Sequence, residues 1–178
     1  AAQARIVPTD LPGFTVVFYD TRGSGTMQHE KYTQKAREAI AGAQELAAKL
    51  GNASLEPAHL LHALINQPDG VVPAVIDRAG VDLSLVKESV DQALAALPRA
   101  SGASLQVGAG QAAVNVIHES EAIASSMKDE FVSTEHLLMA LASTENPMRD
   151  LLARHGLDYN AIVQALAGIR GNQRVTSD

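Results

Sequence analysis

The chain has 178 residues, a formal net charge of −6 at neutral pH, 46% hydrophobic residues, 3% aromatics and no cysteine. That balance excludes disulfide and thiolate chemistry and argues against nucleic acid as the main partner, because phosphates call for a basic surface. It leaves a core built from Ala, Leu, Val and Ile, an alphabet suited to closely packed helices.

The first 26 residues differ from the rest. Phe14, Phe18 and Tyr19 are three of the six aromatics, and Leu11 to Tyr19 is β-prone. A Gly/Ser stretch from Thr21 to Thr26 follows, and Met27 suits a native start. The apolar part is too short for a secretory signal and lacks its basic lead-in. Residues 1–26 therefore read as an expression leader or fusion scar. The rival is a native strand, for which a helical body offers no partner.

Thr33 can cap a helix that runs to about Leu50, with Ala36, Ile40, Ala43, Ala47 and Leu50 forming one apolar stripe. Gly51-Asn52 stops it. Pro57 suits the first position of a second helix, which carries His59 to Ile65 and ends before Gln67-Pro68-Asp69-Gly70. A third helix covers Val72 to Ala79 and closes at Gly80. Asp82 opens a fourth that reaches Leu97 and stops at Pro98.

Arg99 to Gly110, rich in Ser, Gly and Ala, reads as a linker. A second set follows. A long helix runs from about Gln111 to Lys128, and Ser133 caps the next. Asn146-Pro147 opens a third that closes at Gly156, and Asp158 opens a fourth that fades at Gly168. The tail from Gly171 to Asp178 is polar and aperiodic, so a flexible linker over 169–178 is expected. No run approaches the roughly 18 uninterrupted apolar residues of a membrane span.

The two sets are copies. Glu56 to Leu64 aligns with Ser133 to Leu141 at a constant offset of 77, with His59 on His136, Leu60 on Leu137 and Leu61 on Leu138. Ala36, Ile40 and Ala47 fall on Ala113, Ile117 and Ala124. Downstream the offset drops by one, and Gly80-Val81-Asp82 matches Gly156-Leu157-Asp158. A duplicated unit builds one pseudo-symmetric body. The expected fold is all-α: eight helices in two four-helix repeats, about 32–98 and 110–168, within a domain spanning 27–168, and no sheet. The seam between the halves is expected to leave an apolar groove.

Catalytic signatures are absent. There is no Gly-x-x-x-x-Gly-Lys-Ser/Thr phosphate loop and no Gly-x-Ser-x-Gly elbow, which argues against a small hydrolase. His59 and His62 are spaced to share a metal, but Met139 stands at the place of His62 in the second copy. The repeated His59 and His136 read instead as buried imidazoles bonded to a neighbouring loop, and no metal site is expected. Gly108-Ala109-Gly110 has no preceding strand and reads as linker. Asp129, Glu130 and Glu135 gather at a helix start, where the helix dipole favours acids. Their alternative role is to face a groove and meet a partner's N–H or cationic groups. Thr33 caps by default.

These residues resemble a known family. Pro57-Ala58-His59-Leu60-Leu61-His62-Ala63-Leu64 and Thr134-Glu135-His136-Leu137-Leu138-Met139-Ala140-Leu141 resemble the paired signature of the duplicated N-terminal domain of Clp-type AAA+ unfoldases, as do Tyr32 to Ala39 and Gly80 to Leu83. Ala96-Leu97-Pro98-Arg99 and the segment from Ile169 to Asp178 resemble the ClpB-type disaggregases within it. The resemblance implies a non-enzymatic, cytoplasmic module that engages unfolded or aggregated polypeptide and passes it to a channel. ATP and Mg would belong to the full-length parent, a homohexamer working with a DnaK-type chaperone, and no cofactor belongs to this fragment. It further implies substrate contacts by Thr33, Asp129 and Glu135. The alternative within the family is an adaptor-binding domain of a ClpA- or ClpC-type unfoldase. Binding of floppy chains in an apolar groove would be weak and sequence-tolerant. The leader's apolar segment, Leu11 to Tyr19, is expected to dock as such a client.

Overall fold

A computed structural model describes residues 29–100, 107–171 and 175. The segment read as a leader, with its expected docking, lies outside the described residues, as do positions 101–106 and most of the tail.

The described chain forms α1 (Gln34–Lys49), β1 (Ser54–Leu55), α2 (Pro57–Asn66), α3 (Val71–Arg78), α4 (Leu83–Ala95), β2 (Gly108–Ala109), α5 (Gln111–Ser126), α6 (Thr134–Ser143), α7 (Pro147–Arg154) and α8 (Tyr159–Arg170). Side-chain caps fix several starts. Thr33 Oγ1 accepts from the Ala36 N–H at 3.2 Å. Asp82, Asn146 and Asp158 accept in the same way from Ser84, Met148 and Ala161, at 2.9, 2.8 and 2.8 Å. The eight expected helices are present within one or two residues of their sequence-based limits at most ends. The largest offsets are two residues: α4 stops at Ala95, short of Leu97, α5 stops at Ser126, short of Lys128, and α8 continues past Gly168 to Arg170.

The expectation of no sheet needs correction. β1 and β2 pair in parallel, Ser54 with Gly108 and Leu55 with Ala109, and a single parallel bridge joins Tyr32 to Val132. The repeat offset maps Tyr32 onto Ala109 and Leu55 onto Val132, so this is one pairing made twice. In each case the residue leading into a repeat's first helix pairs with the residue leading into the other repeat's second helix. The bond that closes each pairing is the same: Thr33 N–H to Val132 O and Gly110 N–H to Leu55 O, both 2.9 Å. Two-residue ladders carry no period-2 pattern and arise only when the fold brings helix entrances together.

Helix packing obeys the same pseudo-two-fold relation. α1 packs on α2 as α5 packs on α6, and α3 on α8 as α4 packs on α7. At the centre α2 lies against α6. Every residue of α6 from Thr134 to Ala142 is buried. One continuous apolar cluster crosses from half to half. Along this seam the described residues show no open groove: Leu60, Leu61, Leu64, Leu137, Leu138 and Leu141 are each at most 1% exposed. Both central helices are apolar nearly all round, so they bury each other instead of leaving a cleft. An open cleft of about 400 Å³ lies elsewhere, between α1 and α2, lined in part by Ala39, Gly42, Leu46 and Ala63.

The first helix of each repeat ends in a Schellman turn. In copy one Gly51 takes a φ of +70°, and the Asn52 N–H reaches Ala47 O at 2.9 Å. In copy two Lys128 takes φ +59°, and the Asp129 N–H reaches Ala124 O at 3.0 Å. The turn thereby delivers Asn52 and Asp129 to equivalent places beneath the second helix of each repeat.

One break in the symmetry explains an orphan. The buried Tyr32 hydroxyl donates to Glu121. Burial, reinforced by that carboxylate, pushes its pKa well above the ordinary tyrosine value. The repeat counterpart of Glu121 is Gln44, and that of Tyr32 is Ala109, which has no hydroxyl to offer. Gln44 Nε2 is buried with no partner among the described residues.

Candidate functional site

His59 and His136 each stand three residues after the N-cap of their helix, where a capping box ordinarily places Glu or Gln. Each ring reaches back. Nδ1 of His59 accepts the Glu56 N–H at 2.9 Å, and Nδ1 of His136 accepts the Ser133 N–H at 2.9 Å. The remaining proton therefore sits on Nε2. In copy one it is donated to Asn52 Oδ1 at 2.9 Å, and in copy two to Asp129 Oδ2 at 2.7 Å. Burial holds both imidazoles below their ordinary pKa; at His136 the Asp129 carboxylate opposes that shift without reversing it. Both nitrogens of His59 are taken, and the neighbouring His62 turns toward Asp91, 3.8 Å away.

Where copy one has a neutral amide, copy two has an acid, and a cation answers it. Arg170, the last residue of α8, donates through Nη2 to both Asp129 oxygens, at 2.8 and 3.0 Å. Its Nη1 lies 3.5 Å from Glu135 Oε1 and has no hydrogen-bond partner among the described residues. The side chains of Asp129, Arg170 and Glu135 are 1, 12 and 9% exposed. Burial alone would raise the Asp129 pKa; Arg170, the Val175 N–H and His136 together hold it below the ordinary range instead. Burial likewise works against the Arg170 charge, and Asp129 and Glu135 override it, raising its pKa.

The same loop holds the main chain of one further residue, Val175. The Val175 N–H donates to Asp129 Oδ1 at 2.8 Å, and Val175 O accepts from the N–H groups of Glu130 and Phe131, at 2.9 and 3.4 Å. One acceptor and two donors thus form a short peptide-backbone cradle. Val175 falls within the segment read as a flexible linker, most of which lies outside the described residues.

The sequence-predicted site residues come to one end of α6. Asp129 and Glu135 meet on a single guanidinium. Thr33 joins them through the backbone: its N–H reaches Val132 O, and the Val132 N–H reaches Lys31 O at 2.7 Å. The Thr33 hydroxyl itself is taken by its cap. Sequence reading missed Arg170 and Val175. The repeat alignment held the signal for Arg170, because an acid replacing Asn52 at a buried position demands a positive partner. The arrangement contains no nucleophile activated by a base. Its chemistry is recognition of main-chain groups beside buried charge.

A family model described as the Clp repeat (R) N-terminal domain matches residues 31–155. The chain is 39% identical over 152 residues to the chaperone protein ClpB of Rhodopirellula baltica, covering 83% of this chain and 17% of that relative. It spans about a sixth of the length of the curated relatives it matches. Among solved structures it is similar to the Hsp104 N-terminal domain from Candida albicans, with a TM-score of 0.75 and 26% identity over 83% of this chain and 97% of that one. The N-domain of ClpV, solved in complex with a VipB peptide, shares the fold with a TM-score of 0.62 and 17% identity over 82% of this chain and 91% of that one.

Proposed function

The chain belongs to the Clp repeat N-terminal domain family, and from that membership we propose that it is the polypeptide-engaging module of a ClpB-type disaggregase. It takes hold of unfolded or aggregated chains and passes them to an ATP-driven channel of the parent protein. In this reading ATP and Mg serve modules outside the matched domain, the parent is a hexamer in the cytoplasm, and a DnaK-type chaperone is its partner.

The observation that carries the proposal is the cradle at Asp129, Glu130 and Phe131. It grips a backbone rather than a particular side chain, which is the recognition a module for many clients requires. Glu135 and Thr33 flank it and are proposed as client contacts with Asp129. A relative of the same fold, the ClpV N-domain, is described with a bound VipB peptide, which supports peptide engagement as a use of this scaffold. The ClpB identity of the curated relatives supports the disaggregase form over the adaptor-docking form. Ordering a floppy client offsets much of the gain from its contacts, so affinity is expected to be weak.

The test is titration of the full chain with fluorescently labelled, reduced and carboxymethylated α-lactalbumin, a permanently unfolded probe. Glu135→Gln and Thr33→Ala are each expected to weaken binding about threefold to tenfold, the size of one polar contact. Thermal unfolding of the Thr33→Ala chain, measured beside its affinity, separates lost contact from lost helix stability. Unchanged affinity in both would remove those residues from the site, and no binding by any form would end the reading.

A further inference from the structure

We propose that the cleft between α1 and α2 is a second client contact, which takes an apolar side chain with a basic residue beside it from an unfolded chain. The inference rests on the polypeptide-engaging reading above and adds to it a surface separate from the cradle. The cleft is open, holds about 400 Å³, and is lined on its apolar side by Ala39, Gly42, Leu46 and Ala63. That volume is at the small end for ligand clefts, and it suits one or two side chains carried on a longer chain.

The space is made by side chains, not by the backbone. Gly42 stands in the middle of α1, and a Cβ placed there would meet nothing within 4 Å. Glycine in a helix interior costs stability relative to alanine. No packing contact among the described residues requires it here, and what its bareness supplies is room. The repeat relation gives the comparison. Copy two carries Val116 at the place of Ala39 and Glu119 at the place of Gly42.

The rim selects the occupant. Glu38 and Glu45 lie one turn to either side of Gly42, both exposed, and neither forms an ion pair among the described residues. Their copy-two counterparts are the neutral Asn115 and Ala122. Acids and small residues thus occur together in one repeat and are replaced together in the other. Of the nearby cations, Lys49 stands one turn beyond Glu45 at the end of α1, and Lys35 is engaged with Pro68 O at 3.0 Å. An apolar side chain seated over Gly42 brings its chain neighbours against the two carboxylates, where Lys or Arg completes the pairs. Exposed pairs add little apiece, so the acids choose among clients more than they hold them.

The test uses two short fluorescent peptides, each with a central Leu-Leu pair, one flanked by arginines and its twin by aspartates. By anisotropy the unmutated full chain is expected to bind the arginine peptide about threefold to tenfold more tightly than the twin. Gly42→Leu occupies the cleft from within, and thermal unfolding should show it at least as stable as the unmutated chain. It should bind the arginine peptide about threefold to tenfold less tightly, the loss of part of one side chain's burial. Glu38→Gln combined with Glu45→Gln should erase the arginine preference, and Glu135→Gln, at the cradle, should keep it. Undiminished binding by Gly42→Leu, equal binding of the twins, or a preference lost in Glu135→Gln overturns the cleft as a client contact. If the unfolded α-lactalbumin probe still binds in that case, the client-binding reading stands without it. Failure of the unmutated chain to bind any of the three probes removes both.

Discussion

Asn52 and Asp129 occupy one place in the two repeats, and each receives the Nε2–H of its own repeat's histidine, His59 at 2.9 Å and His136 at 2.7 Å. One is neutral and self-sufficient. The other is ionised and tied to Arg170. Asp129→Asn keeps the shape and the histidine bond but strands the guanidinium. It is expected to cost about 2–4 kcal/mol in denaturant unfolding, because breaking a buried pair from one side leaves an uncompensated charge. A loss below 0.5 kcal/mol would mean that Arg170 finds water easily and that the cluster is not a structural pair.

Acid should unfold the domain in two stages. His59 and His136 have folded-state pKa values below the ordinary 6.5, so the unfolded chain binds their protons first as pH falls. Their contribution to stability is fully present above 6.5 and is lost progressively below it. Asp129, depressed below its ordinary 3.8, contributes above that value and loses its share as pH falls further. Unfolding midpoints measured from pH 8 down to 3 should decline from about 6.5 onward. His59→Gln, which can still reach back to its N-cap, should flatten the first stage. A profile level between pH 7 and 5 would contradict the neutral-imidazole assignment.

Gln44→Leu should stabilise the protein by about 1 kcal/mol. The amide nitrogen is buried with no partner among the described residues, and replacing an unpaired buried polar group by an apolar one of similar size removes a desolvation penalty. Thermal unfolding of the single variant decides it. Destabilisation would show that the amide is bridged.

Gly51 and Lys128 hold equivalent left-handed positions in the two Schellman turns, at φ +70° and +59°. Only Lys128 carries a side chain there. Lys128→Gly is expected to gain about 0.5–1 kcal/mol, and Gly51→Ala to lose about 1 kcal/mol. Equal effects of the same sign would show that turn geometry is not what separates them.

The helices were legible because their ends are written in side chains. Thr33, Asp82, Asn146 and Asp158 cap as their types predict. The histidine reading also followed from the repeat, since a residue copied with its surroundings serves the shared fold. The paired edges at Tyr32, Leu55, Ala109 and Val132 were not legible: a ladder two residues long is set by tertiary closure, and Gly108-Ala109 has the composition of a linker. The closed seam was missed for a related reason. Periodicity shows that α2 and α6 are apolar, and only their mutual packing shows what covers them. At the site, Asp129 and Glu135 stood out as acids, but Arg170 lay beyond the apparent fading of α8 and Val175 in a tail without pattern.

The crossed packing of α3 on α8 has a mechanical meaning for force applied at the C-terminal end of α8. Tension arriving there enters through α8, and α8 is braced against a helix of the opposite half. Pulling does not peel one repeat away from the other. It loads both halves at once, so the two are expected to give way together.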